Sequence, residues 1–243
     1  MPDSGLLSII VPAHNEEALI AETLRAINAA ARETGVAIEL IVVDDGSTDR
    51  TAEIATANGA RVVAVQVRQI AAARNAGARA ARGGLLLFVD ADTLISAAAL
   101  RGAMAALQTG AAGGGAMPVF ADGTPGWAVR TMTVTVWILR TANWAAGCFL
   151  FARRDAFERA GGFDERYFAS EEIHLSRALK RVGRFVIIRE KIVTSGRKAH
   201  TYSARHALWL AIRMLRPGAL TRRDRLDFWY SKQVSRQQRG TDR

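Results

Sequence analysis

Cysteine is nearly absent from this chain: Cys148 stands alone among 243 residues. That excludes an internal disulfide and a metal cluster built on paired cysteines, and it fits a reducing compartment. Long apolar runs are missing too. No segment reaches the ~18 uninterrupted apolar residues that a membrane span needs, and the nearest, residues 127–151, is broken by Arg130 and Arg140. The start "MPDSGLLSIIVPAHNEE" has no basic stretch ahead of a long apolar run, so no secretory leader is expected and the expected location is cytoplasmic. Glycine is absent from "VPAHNEE", the loop after the first apolar run. A nucleotidyltransferase would place a Gly-rich phosphate loop there, so its absence counts against that class.

Acidic residues are scarce at one end. Residues 177–243 hold 18 Lys+Arg and 4 Asp+Glu, a net +14, whereas residues 1–176 hold 15 and 19, a net −4; the two sum to +10. This asymmetry suits contact with a polyanion: nucleic acid, anionic lipid or a phosphorylated substrate. The last residues, "QVSRQQRGTDR", read as a solubilising tail. With 49% hydrophobic and 23% charged residues the chain is globular in composition, long enough for one large domain or two small ones.

The first half alternates. "LLSIIVP" (6–12) reads as a buried strand stopped by Pro12. Residues 16–33 carry a helical stripe at Leu19, Ile20, Leu24 and Ile27, ended by Gly35. A second strand running into a turn follows at 38–47, with further strands at 60–66 and 85–90 and helices at 50–58, 70–81 and 96–109; Ser47, Thr48 or Asp49 caps the helix at 50–58. The fold class is therefore α/β, with a mostly parallel sheet covered on both faces. In such sheets ligands sit at the carboxyl ends of strands. Three strands end in polar clusters, "AHNEE", "DDGS" and "DADT", which should line one edge.

The run "GAAGGGA" (110–116) reads as a loop or a break between halves, and residues 126–154 mix helical and strand periods without a firm assignment. "RDAFERAGG" reads as a short helix, 170–183 as a helix with Ser170 as N-cap, and "RFVIIR" as a last strand. Residues 204–216 form a basic amphipathic pattern closed by Pro217, with Leu208, Trp209, Ile212 and Leu215 on one stripe. That stripe suits either packing on the domain or peripheral contact with anionic lipid on the cytoplasmic face of a membrane.

Asp90-x-Asp92 after a buried strand is a hard-oxygen pair suited to Mg²⁺ or Mn²⁺, which take carboxylates, water and substrate phosphates. Arg74, Arg79 and Arg82 lie just upstream, and the last two read as a solvated helix face. Asp44 and Asp45 suit hydrogen bonds from a nucleobase or ribose, or ordinary turn chemistry. Glu171 and Glu172 suit a general base, or favourable charges at a helix start. A purely nucleic-acid-binding protein would leave these acidic clusters unexplained, since they repel phosphate.

Taken together and in order, "SIIVPAHNEEALIAETL", "IELIVVDDGSTDRTAEIA", "ARNAGARAARGGLLLFVDADT" and "GCFLFARRDAFERAGGFDERYFASEEIHLSRAL" resemble the family 2 glycosyltransferases over roughly residues 7–190. The resemblance implies a Rossmann-like GT-A fold and an inverting transferase that uses a nucleotide-sugar donor, in cell-envelope or glycan biosynthesis. It implies a domain over 1–200, with a donor half (1–110) and an acceptor half (111–200), followed by a basic helical extension (201–243). It implies that Pro12, Asn15 and Glu16 border the nucleoside, that Asp44 and Asp45 meet base and ribose, and that Arg74 supports the nucleotide. Asp90 and Asp92 would hold ribose and the metal–diphosphate. Of the acidic pair, Glu172 would be the catalytic base, with Glu171 beside it; glutamate replaces the usual aspartate at 172, His174 a frequent aspartate, and His14 a frequent tyrosine. "TSGRKAH" resembles a segment that implies Arg197 and Lys198 near a phosphate and His200 as a metal ligand. The implied partners are a nucleotide-sugar and a saccharide, lipid-linked or small-molecule acceptor, with no nucleic acid. An inactive nucleotide-sugar-binding relative is the competing reading.

Overall fold

Between residues 3 and 108 the continuously apolar runs become strands and the striped segments between them become helices. The computed structural model describes residues 3–195; Arg197, Lys198, His200, the helical pattern at 204–216 and the boundary at residue 200 lie outside the described residues. The order is β1 (Asp3–Ala13), α1 (Ile20–Thr34), β2 (Ile38–Asp45), α2 (Thr51–Ala57), β3 (Arg61–Val65), α3 (Ile70–Ala80), β4 (Gly83–Val89), β5 (Thr93–Leu94) and α4 (Ala97–Gln108). Then come β6 (Gly113–Phe120), α5 (Gly126–Thr141), β7 (Phe149–Arg153), α6 (Arg154–Arg159), α7 (Glu171–Val182) and β8 (Phe185–Thr194).

One sheet holds all these strands in the order β3-β2-β1-β4-β7-β6-β8-β5. β7 is antiparallel to β4 and β6, β5 is antiparallel to β8, and the remaining pairs are parallel. Alternate residues of the central strands face opposite layers, as the two-residue period of a strand requires. Ile9, Val11, Val42 and Leu87 pack with Ile20, Leu24 and Ile27 of α1 and Leu100 of α4. Ile10, Ile41, Val43 and Phe88 pack with alanines of α3 and with Leu175 and Leu179 of α7. Both faces are thus covered, and the continuous apolar strands are explained.

Three expectations needed correction. The glycine run is strand, not loop: Gly113, Gly114 and Gly115 pair with β7 and β8 in the middle of the sheet. The reason is space. A Cβ on Gly114 would lie 2.0 Å from the carbonyl oxygen of Val186, and one on Gly115 would lie 2.5 Å from Ala145 Cβ. Ser170 precedes α7, but its side chain makes no capping bond and its backbone is left-handed, φ 64°. Helix α1 starts at Ile20 rather than residue 16, because "EEAL" (16–19) forms a turn closed by Leu19 and Ile20 amides donating to the Glu16 carbonyl. The segment that resisted assignment resolves into α5 and β7, and the two-residue β5 carried too little pattern to be read.

Candidate active site

Parallel pairing puts the carboxyl ends of β1, β2 and β4 side by side, with Ala13 opposite Asp44 and Ile10 opposite Phe88. The loops that follow knit together. Asn15, at φ 54°, donates its amide to Ser47 Oγ and accepts from the Thr48 amide on Oδ1, and the Glu16 amide donates to Thr51 Oγ1. Asp44 accepts from the Ser47 amide. Asp45 turns instead to the next loop: its carboxylate accepts from the amides of Val67, Arg68 and Gln69, at 2.8, 2.9 and 3.1 Å. It thereby fixes the entry to α3. Arg68 Nη1 reaches His14 Nε2 at 2.8 Å across the mouth between these loops, and Pro12 sits at the end of β1 opposite Val43.

Helix α3 packs tightly on the sheet because Gly77 lacks a side chain; a Cβ there would meet Ile10 Cγ2 at 2.3 Å. One turn earlier, the same face carries Arg74, which is 1% exposed. A buried guanidinium needs partners. Arg74 Nη1 donates to Glu171 Oε1 at 2.6 Å, and Nη2 donates to Asp90 Oδ1 at 2.7 Å and to the Gly147 carbonyl at 2.9 Å. Its charged group also lies 5.2 Å from the Phe163 ring centroid. Burial alone would lower its pKa, but Asp90, Glu171 and Glu172 outweigh that and hold it above its ordinary value. Strand end, helix start and the 145–148 loop thus meet on one cation.

The two glutamates are not equivalent. Glu171 is buried and paired with Arg74. Glu172 makes no ion pair among the described residues, and its carboxyl is pushed up to about 8, by burial first and by Glu171 next, against the opposing pull of Arg74. Ser176 Oγ donates to the Glu172 carbonyl and accepts from the Ala145 amide, which fastens α7 to the 145–148 loop. A Cβ on Gly147 would lie 3.2 Å from Arg74 Nη2 and 3.6 Å from the Glu172 carboxyl carbon, so this loop approaches the cluster closely.

Asp90 and Asp92 flank the buried Ala91 on the turn after β4, both half-buried. They make the local field negative: burial pushes the Cys148 thiol up, and Asp90 and Asp92 push it further. No group of three or more metal-ligating side chains comes together among the described residues.

The structure therefore brings Arg74, Asp90, Glu171 and Glu172 into one cluster with Asp92 beside it. Pro12, Asn15, Glu16 and Asp44 form the neighbouring rim. Sequence reasoning passed over three contributors: Gly147, whose carbonyl holds Arg74, and Gln69 and Asn75. Gln69 donates to the carbonyls of Glu165 and Tyr167, and Asn75 to that of Phe163. The signal for Gly147 was present, a small residue run "AAGC" just ahead of a strand.

Two solved structures share this architecture. A mannosyltransferase from Pyrobaculum calidifontis, in complex with GDP-Man and Mn²⁺, matches 88% of this chain and 63% of its own at a TM-score of 0.66 and 23% identity. S. aureus TarS with UDP-GlcNAc matches 86% of this chain and 64% of its own, at 0.60 and 20%. The sheet is thus of the GT-A type. Among curated relatives, an undecaprenyl-phosphate 4-deoxy-4-formamido-L-arabinose transferase of Pseudomonas aeruginosa is 44% identical over 94 residues, 36% of this chain; the chain spans only 28% of that relative's length. The model of "Glycosyl transferase family 2" matches residues 8–163, well over half of the sequence, and the chain belongs to that family.

Proposed function

We propose that the chain moves a sugar from a nucleoside-diphosphate donor to an acceptor hydroxyl, with inversion at the anomeric carbon. One observation carries this reading: Arg74 pairs with Glu171 and Asp90, while Glu172 is left beside them with raised proton affinity. An alcohol holds its proton far above neutral pH, so attack on the anomeric carbon needs a base whose pKa lies near the working pH. Glu172, pushed up to about 8, meets that need. A phosphate acceptor is already ionised and needs no such base, so the tuned glutamate favours a hydroxyl.

In the proposed step the acceptor oxygen forms its bond to the anomeric carbon from the face opposite the nucleotide. Its proton passes to Glu172, and the bond to the diphosphate breaks with the electron pair on the departing oxygen. Asp44, Asn15, Glu16 and Pro12 border the nucleoside, with Asp45 holding the 67–69 loop behind them. Asp90, fixed by Arg74, sets the position of donor and base relative to each other. This assigns the donor to the first half of the chain and the acceptor to the second.

The donor set fits a hard divalent cation. Among the described residues Asp90, Glu171 and Glu172 gather about the Arg74 guanidinium with Asp92 beside them, so this cluster favours added positive charge. Mg²⁺ and Mn²⁺ are held by one or two carboxylates together with substrate phosphates. Asp92 and the Asp90 oxygen not bonded to Arg74 would hold the ion, which when bound neutralises charge on the diphosphate. The Pyrobaculum relative's Mn²⁺ and GDP-Man support the same reading; the expected ligand His200 lies outside the described residues.

The test is a thermal-shift panel with UDP, GDP, dTDP and CMP, with and without Mn²⁺, on wild type and Asp92→Ala. A ligand at a hundredfold excess over its Kd adds about 2.7 kcal/mol to apparent stability. One nucleotide is expected to raise Tm only with Mn²⁺, and the variant is expected to lose that shift. No shift with any nucleotide would overturn the reading.

A further inference from the structure

Helix α5 is the least enclosed long element of the described chain. Of its sixteen residues only Ala128 is buried. Val129, Val134, Trp137 and Ile138 are 45%, 58%, 65% and 47% exposed, and they account for four of the five strongly exposed large apolar side chains among the described residues. Arg130, Val134, Trp137 and Ile138 fall at i, i+4, i+7 and i+8, one stripe of a helix. Patches of this kind on a protein surface mark something that covers them.

The charge around the patch identifies its chemistry. From Gly123 to Asn143 the sequence contains no Asp or Glu, while Arg130 and Arg140 are cationic. An exposed apolar stripe with tryptophan, on a helix whose charged residues are both arginines, matches the headgroup zone of an anionic bilayer, where tryptophan rings and guanidinium groups both find partners. Sixteen residues make a helix about 24 Å long. That is short of the roughly 30 Å hydrocarbon core, and two arginines interrupt it, so α5 fits along a membrane and not across one.

We propose that α5 lies on an anionic lipid surface, with Val134, Trp137 and Ile138 among the headgroups and Arg130 and Arg140 against lipid phosphates. Its placement gives the contact a use. The chain leaves α5 at Thr141 and reaches Gly147, which holds Arg74, and Ala145, which is bonded to Ser176. Docking of α5 therefore sets Glu172 at the lipid boundary, where the hydroxyl of a lipid-linked saccharide can reach it. That last point rests on the transferase reading; the docking itself does not.

Charge disfavours two other occupants of the stripe. The sequence after Ser195 starts near α5, because Thr194 pairs with Phe120, and it holds 12 Lys+Arg against 3 Asp. A second copy would present the same basic stripe. Both carry the sign of α5 and would repel it, whereas both would be drawn to one anionic surface.

The experiment uses the full chain with phosphatidylcholine vesicles and with vesicles containing phosphatidylglycerol, read by co-sedimentation. Wild type is expected to partition onto the anionic vesicles only. Val134→Glu with Trp137→Glu, and separately Arg130→Glu with Arg140→Glu, are each expected to weaken binding roughly tenfold or more. Both changes are at exposed positions, and circular dichroism together with the Mn²⁺-dependent nucleotide shift reports that the fold is kept. In a Trp209→Phe, Trp229→Phe background, brominated lipid is expected to quench tryptophan emission, and Trp137→Phe to remove most of that quenching. Unchanged vesicle binding in the Val134/Trp137 variant would overturn the proposal, and a loss confined to Arg222→Glu, Arg223→Glu, Arg225→Glu would assign the contact to the C-terminal segment. Conversion of a dimer to a monomer by Trp137→Glu, without an effect on vesicles, would overturn it in favour of a second copy. Vesicle binding with no nucleotide shift would sustain the docking and refute the transferase reading alone.

Discussion

Glu172→Gln separates the proposed base from its neighbour, and its consequences can be worked out with their sign. The carboxyl is moved from an ordinary 4.5 to about 8, so folding favours the protonated form. Its contribution to stability is complete below about pH 4.5 and is lost as pH rises through about 8. For a fully dry group that displacement corresponds to about 5 kcal/mol. Glu172 keeps part of its surface in solvent, so about 1–2 kcal/mol is the expected size. Glutamine is neutral at every pH and never meets this cost. At pH 5 the variant and wild type are therefore expected to melt together, and at pH 9 the variant is expected to melt higher by about 3–6 °C. This needs no substrate, only scanning calorimetry at several pH values. Once a donor is known, wild-type kcat/KM should rise with pH toward a plateau above about 8, and Glu172→Gln should lower kcat by about 10²–10⁴ while leaving nucleotide binding intact. Parallel melting curves from pH 5 to 9, or transfer retained by the variant, would refute the reasoning.

Three further outcomes follow from other parts of the molecule. Arg74→Met strands Asp90 and Glu171 and should cost about 3–5 kcal/mol in urea denaturation; Arg74→Lys should recover part of that stability but not the simultaneous contact to both, and should move the pH–rate profile to higher pH. Glu39 is held down to about 2: burial would raise it, but hydrogen bonds from the Arg82 amide, Ser8, Arg61 and the Arg82 side chain prevail. Its stabilisation is present above about pH 4.5 and is lost as pH falls toward 2, so Glu39→Gln should cost up to about 3 kcal/mol at pH 7 and almost nothing at pH 2. Gly114→Ala places a Cβ 2.0 Å from a β8 carbonyl, which backbone cannot easily yield, and should destabilise by about 3 kcal/mol or more, measured by Tm.

Local patterns in the sequence determined the first half of the fold. Apolar runs of strand length, a helical stripe at Leu24 and Ile27, and turns at Gly35 and Gly59 each report on their own neighbourhood. They also placed "AHNEE", "DDGS" and "DADT" at one edge, because parallel strands share a direction. The glycine run at 113–115 defeated local reading: a strand of residues without side chains has no period, and only the closeness of Phe151, Val186 and Ala145 gives it a reason. Helix α5 was obscure for a related cause, since apolar residues on both its faces erase the amphipathic signal. The choice between Glu171 and Glu172 was open in the sequence because adjacent residues share every local feature. Tertiary structure decided which of them Arg74 holds, across 97 positions of chain, and so which keeps its proton. Periodicity is a property of neighbours along the chain, but a proton affinity is set by burial and charges through space, and those exist only once distant segments have packed.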